Sequence, residues 1–174
     1  MVVWITGLSG AGKTTVAKCL VSKLRSAGEK NVVHLDGDEL RSAFFSDVTG
    51  DPHSLTNRLR IAYKYSALCD MLSKQGVTVV ISTISLFHEI HKWNRDNIQG
   101  YYEVYLDVPL NVLSSRNQKG LYKNYAAGHI DNICGLDIKS EFPTHPDLKI
   151  EYSEAINAEE NAECIYNNIK GVIE

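Results

Sequence analysis

Residues Gly7-Leu-Ser-Gly-Ala-Gly12-Lys13-Thr14 follow the pattern GxxxxGK[ST], and nothing else in the chain limits its fold as much. Such a loop works by turning successive backbone N–H groups onto one anion, and glycine permits the backbone angles this needs. A helix starting near Lys13 adds its positive end to the same point. Lys13 is then placed to bridge β- and γ-phosphates, and the Thr14 hydroxyl to hold Mg²⁺. Gly7, Ser9, Gly10, Ala11, Gly12, Lys13, Thr14 and Thr15 therefore form the expected nucleotide-phosphate site, with Thr14 as the metal residue. A chance match in a chain this long is on the order of one in a hundred from average residue usage. The flanking pattern sharpens it, because the mechanism requires a strand before the loop and a helix after it.

Both are present. Val2–Thr6 is a short apolar strand, and helix-spaced Val16, Ala17, Leu20, Val21 and Leu24 run through 14–27 before Gly28. Further along, strands are predicted over 31–36, 77–82, 102–107 and 148–152, and helices over 57–74, 88–99, from Pro109, and over 157–173. Asn157 and Glu160 have the spacing of a capping box. Near-continuous apolar strands alternating with helices predict an α/β, P-loop NTPase-type three-layer sandwich on a five-stranded, mainly parallel sheet. Ligands of such folds sit beyond the carboxyl ends of the strands. Residues 117–146 fit no such element. Glycines, prolines, lysines and tyrosines crowd there, so this stretch is expected to be a mobile lid.

Bulk properties narrow the classes. The 174 residues, 44% of them hydrophobic, suit one domain over 1–174. A net charge of −3 argues against a nucleic-acid-coating surface. No apolar run approaches the roughly 20 residues needed to span a bilayer, so no membrane partner is expected. Met1–Thr6 lacks the basic start of a signal peptide. Cys19, Cys69, Cys134 and Cys164 are scattered without metal-ligand spacing and read as reduced thiols of a cytoplasmic protein. His88 and His91 lie three apart but lack a third ligand for zinc.

Three kinds of P-loop protein compete. A switch GTPase needs a guanine-reading NKxD, and the chain has none. Motor ATPases are generally longer. A small-molecule kinase needs acceptor groups beside the loop and a cover that keeps water from the phosphoryl group. Candidates for both exist. Leu35-Asp-Gly-Asp38 ends the second strand, with Asp38 placed to take or orient the proton of an acceptor hydroxyl and Asp36 to fix the turn or a metal-bound water. Arg41, on the same turn as Asp38, can fork onto an acceptor anion. Arg116, Lys119 and Lys123 are spaced to bring positive charge over a transferring phosphoryl group.

The chain resembles the adenylyl-sulfate kinases along nearly its whole length. The resemblance rests on Ile5–Thr14, Leu35-Asp-Gly-Asp-Glu-Leu-Arg41, Asn57-Arg-Leu-Arg60, Ile81-Ser-Thr-Ile-Ser85, Glu103–Pro109 and, most specifically, Lys119-Gly-Leu-Tyr-Lys123 with Ala127-Gly-His-Ile130 and Gly135-Leu-Asp137. It implies ATP and Mg²⁺ as cofactors, phosphorylation of a ribose 3′-hydroxyl on a small nucleotide acceptor, and commonly a homodimer. It also implies that Asp36, Asp38, Arg41, Asn57, Arg60, Ser85, Lys119, Lys123 and Ile133 belong to the acceptor side. Arg116 goes with the nucleotide, and Lys13, Asp38 and Lys119 with catalysis. Family members hold the acceptor adenine between two phenylalanines. Here one turn reads Val48-Thr-Gly-Asp51, the lid position falls on Ile133, and Phe44, Phe45 or Phe87 is the candidate replacement. Stacking on a base is worth about 1–3 kcal/mol per ring. The default acceptor is adenylyl sulfate, in sulfate assimilation. A different nucleotide, such as the cytidine diphosphoramidate of bacterial capsule biosynthesis, is the alternative. A domain that binds nucleotide without catalysis is a lesser one.

Overall fold

The structure is a computed structural model and describes residues 1–44, 54–117 and 120–173. The elements run β1 (Val2–Thr6), α1 (Lys13–Ser26), β2 (Val32–Asp36), α2 (Gly37–Phe44), α3 (Leu55–Ser73), β3 (Thr78–Ser82), α4 (His88–Asn97), β4 (Tyr101–Asp107), α5 (Leu110–Arg116), α6 (Leu121–Ala126), β5 (Leu148–Glu151) and α7 (Ala158–Ile173). The strands form one sheet in the order β2-β3-β1-β4-β5, every pairing parallel. Alternation along β1 divides the core. Val3 and Ile5 pack with Val16, Leu20 and Leu24 of α1 and Ile165 and Ile169 of α7. Val2 and Trp4 face Ile61 and Tyr65 of α3 and Ile90 of α4. All five residues of β1 and of β3 are buried, which is why both read as unbroken apolar runs.

Register brings the chemistry to one edge. Ile5 is opposite Ser82, and Ser82 is opposite Asp36, so the ends of β1, β2 and β3 lie side by side. The predicted strand and helix bounds hold to within one or two residues. The α7 capping box forms, with Glu160 N–H donating to Asn157 Oδ1 at 2.9 Å and Asn157 N–H to Glu160 Oε2 at 2.8 Å.

Two elements exceed the sequence reading. The Asp-Gly-Asp turn continues into α2, with Gly37 as its first residue and the Tyr65 hydroxyl donating to the Gly37 carbonyl at 2.7 Å. The lid stretch, read as free of regular elements, contains α6 and an isolated bridge between Cys134 and Ile138. This short helix is fixed by a tertiary anchor, since Tyr122 is buried and its hydroxyl donates to the Ser9 carbonyl at 2.9 Å. Among the described residues, no helix is long and apolar enough to cross a membrane. Lys119, Phe45 and the Val48–Asp51 turn lie outside the described residues.

Candidate phosphotransfer site

Gly7, Gly10 and Gly12 take φ of 148°, 83° and 91°, which side chains disfavour. At Gly7 the space is closed as well, because a Cβ there would sit 2.7 Å from the Leu106 carbonyl oxygen. Gly12 caps α1 without a side-chain acceptor, and the first turn of α1 holds no acidic residue. The opening N–H groups of a helix have no intrahelical acceptor. Here no carboxylate of the helix competes for them, so the loop presents a cradle suited to phosphate. Lys13 Nζ donates to the Leu8 carbonyl at 2.8 Å, which curls the ammonium over the loop.

Asp36 is the hub behind this cradle. Its Oδ2 accepts from the Thr14 hydroxyl at 2.7 Å and the Ser82 hydroxyl at 2.9 Å. Its Oδ1 accepts from the N–H groups of Asp38 at 2.9 Å and Glu39 at 3.3 Å. Burial works to raise its pKa. The hydrogen bonds from Thr14, Ser82, Asp38 and Glu39 outweigh burial and hold the carboxyl below its ordinary value. A carboxylate and a hydroxyl side by side are hard oxygen donors, the kind Mg²⁺ takes alongside substrate phosphates. The residues present fit that ion.

In front of the cradle lies a cleft of about 340 Å³. Ser9, Gly10, Gly12, Lys13, Thr14 and Thr15 line one end, and Asp36, Asp38, Arg41, Ser85 and Ile133 line the rest. Gly7 and Ala11 shape the loop from behind. Arg116 reaches it from α5, with Nη1 donating to the Gly10 carbonyl at 3.2 Å and its guanidinium 4.9 Å from the Tyr152 ring centre. Other expected residues stand apart from the walls. Asn57 is half-buried in the first turn of α3, and Arg60 and Lys123 are exposed.

Some cleft residues escaped the sequence reading. Arg58, rather than Arg60, lines the cleft, and its Nη2 donates to the Asn132 carbonyl at 2.8 Å. The signal was there: Arg58 shares the stripe of buried Ile61, Ala62 and Tyr65 on α3, whereas Arg60 falls off it. Lys139 adds a further cation, and Phe87 is the one described ring among the three candidate replacements that lines the cleft. Phe44 is 69% exposed. Ile133 is buried in the wall, and the Asp137 carboxylate holds its loop by accepting from the N–H groups of Asn132 and Ile133. Ser85, also buried, has φ of 31°, and its hydroxyl pairs with that of Thr83 at 2.9 Å. The cleft thus combines an anion-binding end and hard oxygen donors with Asp38 and the cations Arg41, Arg58 and Lys139.

The chain is similar to known proteins over most of its length. The family model described as adenylylsulphate kinase matches residues 1–151. A cytidine diphosphoramidate kinase of Campylobacter jejuni is 38% identical over 169 residues, covering 97% of this chain and 95% of its own. An adenylyl-sulfate kinase of Rippkaea orientalis is 40% identical over 152 residues, covering 84% of this chain and 79% of its own. Among solved structures, the Mycobacterium tuberculosis APS kinase in complex with AMPPNP and APS superposes with a TM-score of 0.87 at 31% identity, covering 97% of this chain and 96% of that one.

Proposed function

We propose, from the premise that this chain belongs to the adenylylsulphate kinase family and is a nucleotide kinase, that it transfers the γ-phosphoryl group of Mg·ATP to the ribose 3′-hydroxyl of cytidine diphosphoramidate. The observation that carries the choice of acceptor is Ile133. It occupies the cleft wall where the family resemblance calls for a stacking ring, and Phe87 is the one described phenylalanine that also lines the cleft. A smaller base needs less stacking area, and the Campylobacter jejuni relative matches over nearly the full length of both chains. Adenylyl sulfate is the second reading, favoured by the Rippkaea orientalis relative.

In this reading the N–H groups of the 7–12 loop and Lys13 hold the ATP phosphates in line with the acceptor. Mg²⁺, when bound, would neutralise charge on the β- and γ-phosphates, held by Thr14 and through the Asp36 carboxylate. Asp38 accepts the proton of the 3′-hydroxyl as its oxygen forms the new bond to the γ-phosphorus, and the bond to the bridging oxygen breaks to release ADP. Arg41 and Arg58 hold the acceptor phosphates. Ser85 and Ile133 bound the acceptor, and Asn57 and Arg60 support α3 beside it. Arg116 from the end of α5, and Lys119 and Lys123 from the 117–146 lid, bring positive charge to the transferring phosphoryl group. A single domain, a homodimer and a cytoplasmic setting in capsule biosynthesis go with this reading.

The test is ADP release from Mg·ATP with cytidine diphosphoramidate and adenylyl sulfate offered separately. Turnover with the cytidine compound alone is expected. Turnover with adenylyl sulfate alone would transfer the protein to sulfate assimilation, and turnover with neither would defeat both acceptors.

A further inference from the structure

Ser85 is a non-glycine residue in the left-handed region, buried in the cleft wall, and something must hold it there. The turn is gripped at several points. The Thr6 hydroxyl donates to the Ile84 carbonyl, and the Glu141 N–H donates to the Leu86 carbonyl at 3.1 Å. The Ser85 carbonyl itself takes two donors, the Phe87 N–H at 3.0 Å and Nε2 of His91 at 3.1 Å.

His91 belongs to α4 and lies behind the cleft wall, with 7% of its surface exposed. A carbonyl can only accept, so Nε2 carries a hydrogen. Nδ1 is then a bare lone pair, and it has no hydrogen-bond partner among the described residues. It faces Glu103 Oε1 at 3.8 Å, too far for a hydrogen bond. Glu103 is also buried and is engaged elsewhere, accepting from the Tyr101 hydroxyl at 2.9 Å. Burial lowers the His91 pKa to about 4, so the ring is neutral at pH 7, and the Ser85 carbonyl selects its Nε2–H tautomer. A buried ring with one nitrogen unsatisfied is a poor choice for packing alone. Its other nitrogen is the one spent on Ser85.

We infer that His91 is a positioning residue of the phosphotransfer site, its Nε2–H holding the left-handed Ser85 turn, and with it the Ser85 hydroxyl, against the acceptor end of the cleft. This rests on the reading that Ser85 bounds the acceptor. His91 touches neither ligand and acts through the Ser85 carbonyl. It therefore bears on acceptor binding and leaves the ATP end, fixed by the 7–12 loop, untouched.

Two variants separate this role from packing. His91→Gln places an amide N–H near the Nε2 position, whereas His91→Asn places it near Nδ1, short of the Ser85 carbonyl. With whichever acceptor the wild type turns over, H91Q is expected to keep the acceptor KM within about threefold of wild type. H91N is expected to raise it about tenfold or more with the KM for ATP unchanged. Equal behaviour of the two variants, or a parallel rise in both KM values, overturns the inference. Long-range ¹H–¹⁵N spectra of the wild-type imidazoles need no acceptor and no variant that folds. They should show His91 in the Nε2–H form, and an Nδ1–H form overturns the inference outright. If the wild type turns over neither acceptor, the acceptor reading fails while the tautomer still decides for or against His91.

Discussion

The Thr14 hydroxyl donates to Asp36 Oδ2 at 2.7 Å, joining the first turn of the phosphate-loop helix to the last residue of the second strand. The same oxygen accepts from Ser82 at the end of the third strand. One carboxylate thereby locks the geometry at the edge where ATP and acceptor meet.

Asp36→Ala should strike both stability and activity. It leaves the two hydroxyls and two N–H groups without their shared acceptor. Hydrogen bonds to charged groups are worth about 1.5–3 kcal/mol each and do not simply add, so a loss of about 3 kcal/mol is expected. Urea denaturation measures it, and a change below about 1 kcal/mol would remove Asp36 from its place as hub.

Asp38→Asn should leave folding intact and lower kcat by about 10²–10⁴-fold, the range ascribed to general acid–base catalysis. Asp38 lines the cleft, and its own N–H stays bonded to Asp36 Oδ1, so α2 keeps its start. Near-normal turnover in a folded variant would strip Asp38 of its role as base.

Ile133→Phe restores a ring at the cleft wall. It should improve kcat/KM for adenylyl sulfate relative to the cytidine acceptor by about tenfold, given roughly 1–3 kcal/mol per stacked base. The competing substrates measured side by side give the ratio directly. An unchanged ratio would mean that Ile133 does not select the base.

Acid should unfold the protein partly through His91. Burial lowers the folded-state pKa to about 4, while the unfolded chain titrates near the ordinary 6.5. The unfolded state therefore takes up the proton first, and stability that is full above pH 6.5 is lost as pH falls from there toward 4. The cost approaches about 3 kcal/mol at the acid end. Glu103 opposes it, since burial raises its pKa and the folded state binds that proton more readily. Melting temperatures across pH 7 to 4 should fall for the wild type and fall less for H91Q. Identical slopes would show that His91 is not buried in its neutral form.

Much of this was legible locally. The glycine loop, its flanking strand and helix, and the α/β alternation follow from short-range patterns, because the phosphate cradle and the 3.6 and 2 periodicities are written into neighbouring residues. Ile133 stands out in the sequence as a departure at a matched position. Arg58 was legible in principle, since the buried stripe of α3 passes through it and misses Arg60.

What the sequence determined by itself is the class of chemistry and the edge of the sheet where it occurs, because a P-loop is a local device. Only the tertiary structure decided which side chains share the site with it. Asp36 meets Thr14 and Ser82 across 22 and 46 residues, Arg58 meets Asn132 across 74, and Tyr122 meets Ser9 across 113. The link from His91 to the Ser85 carbonyl is short in sequence, yet its meaning depends on burial, which two packed layers create and no local pattern records.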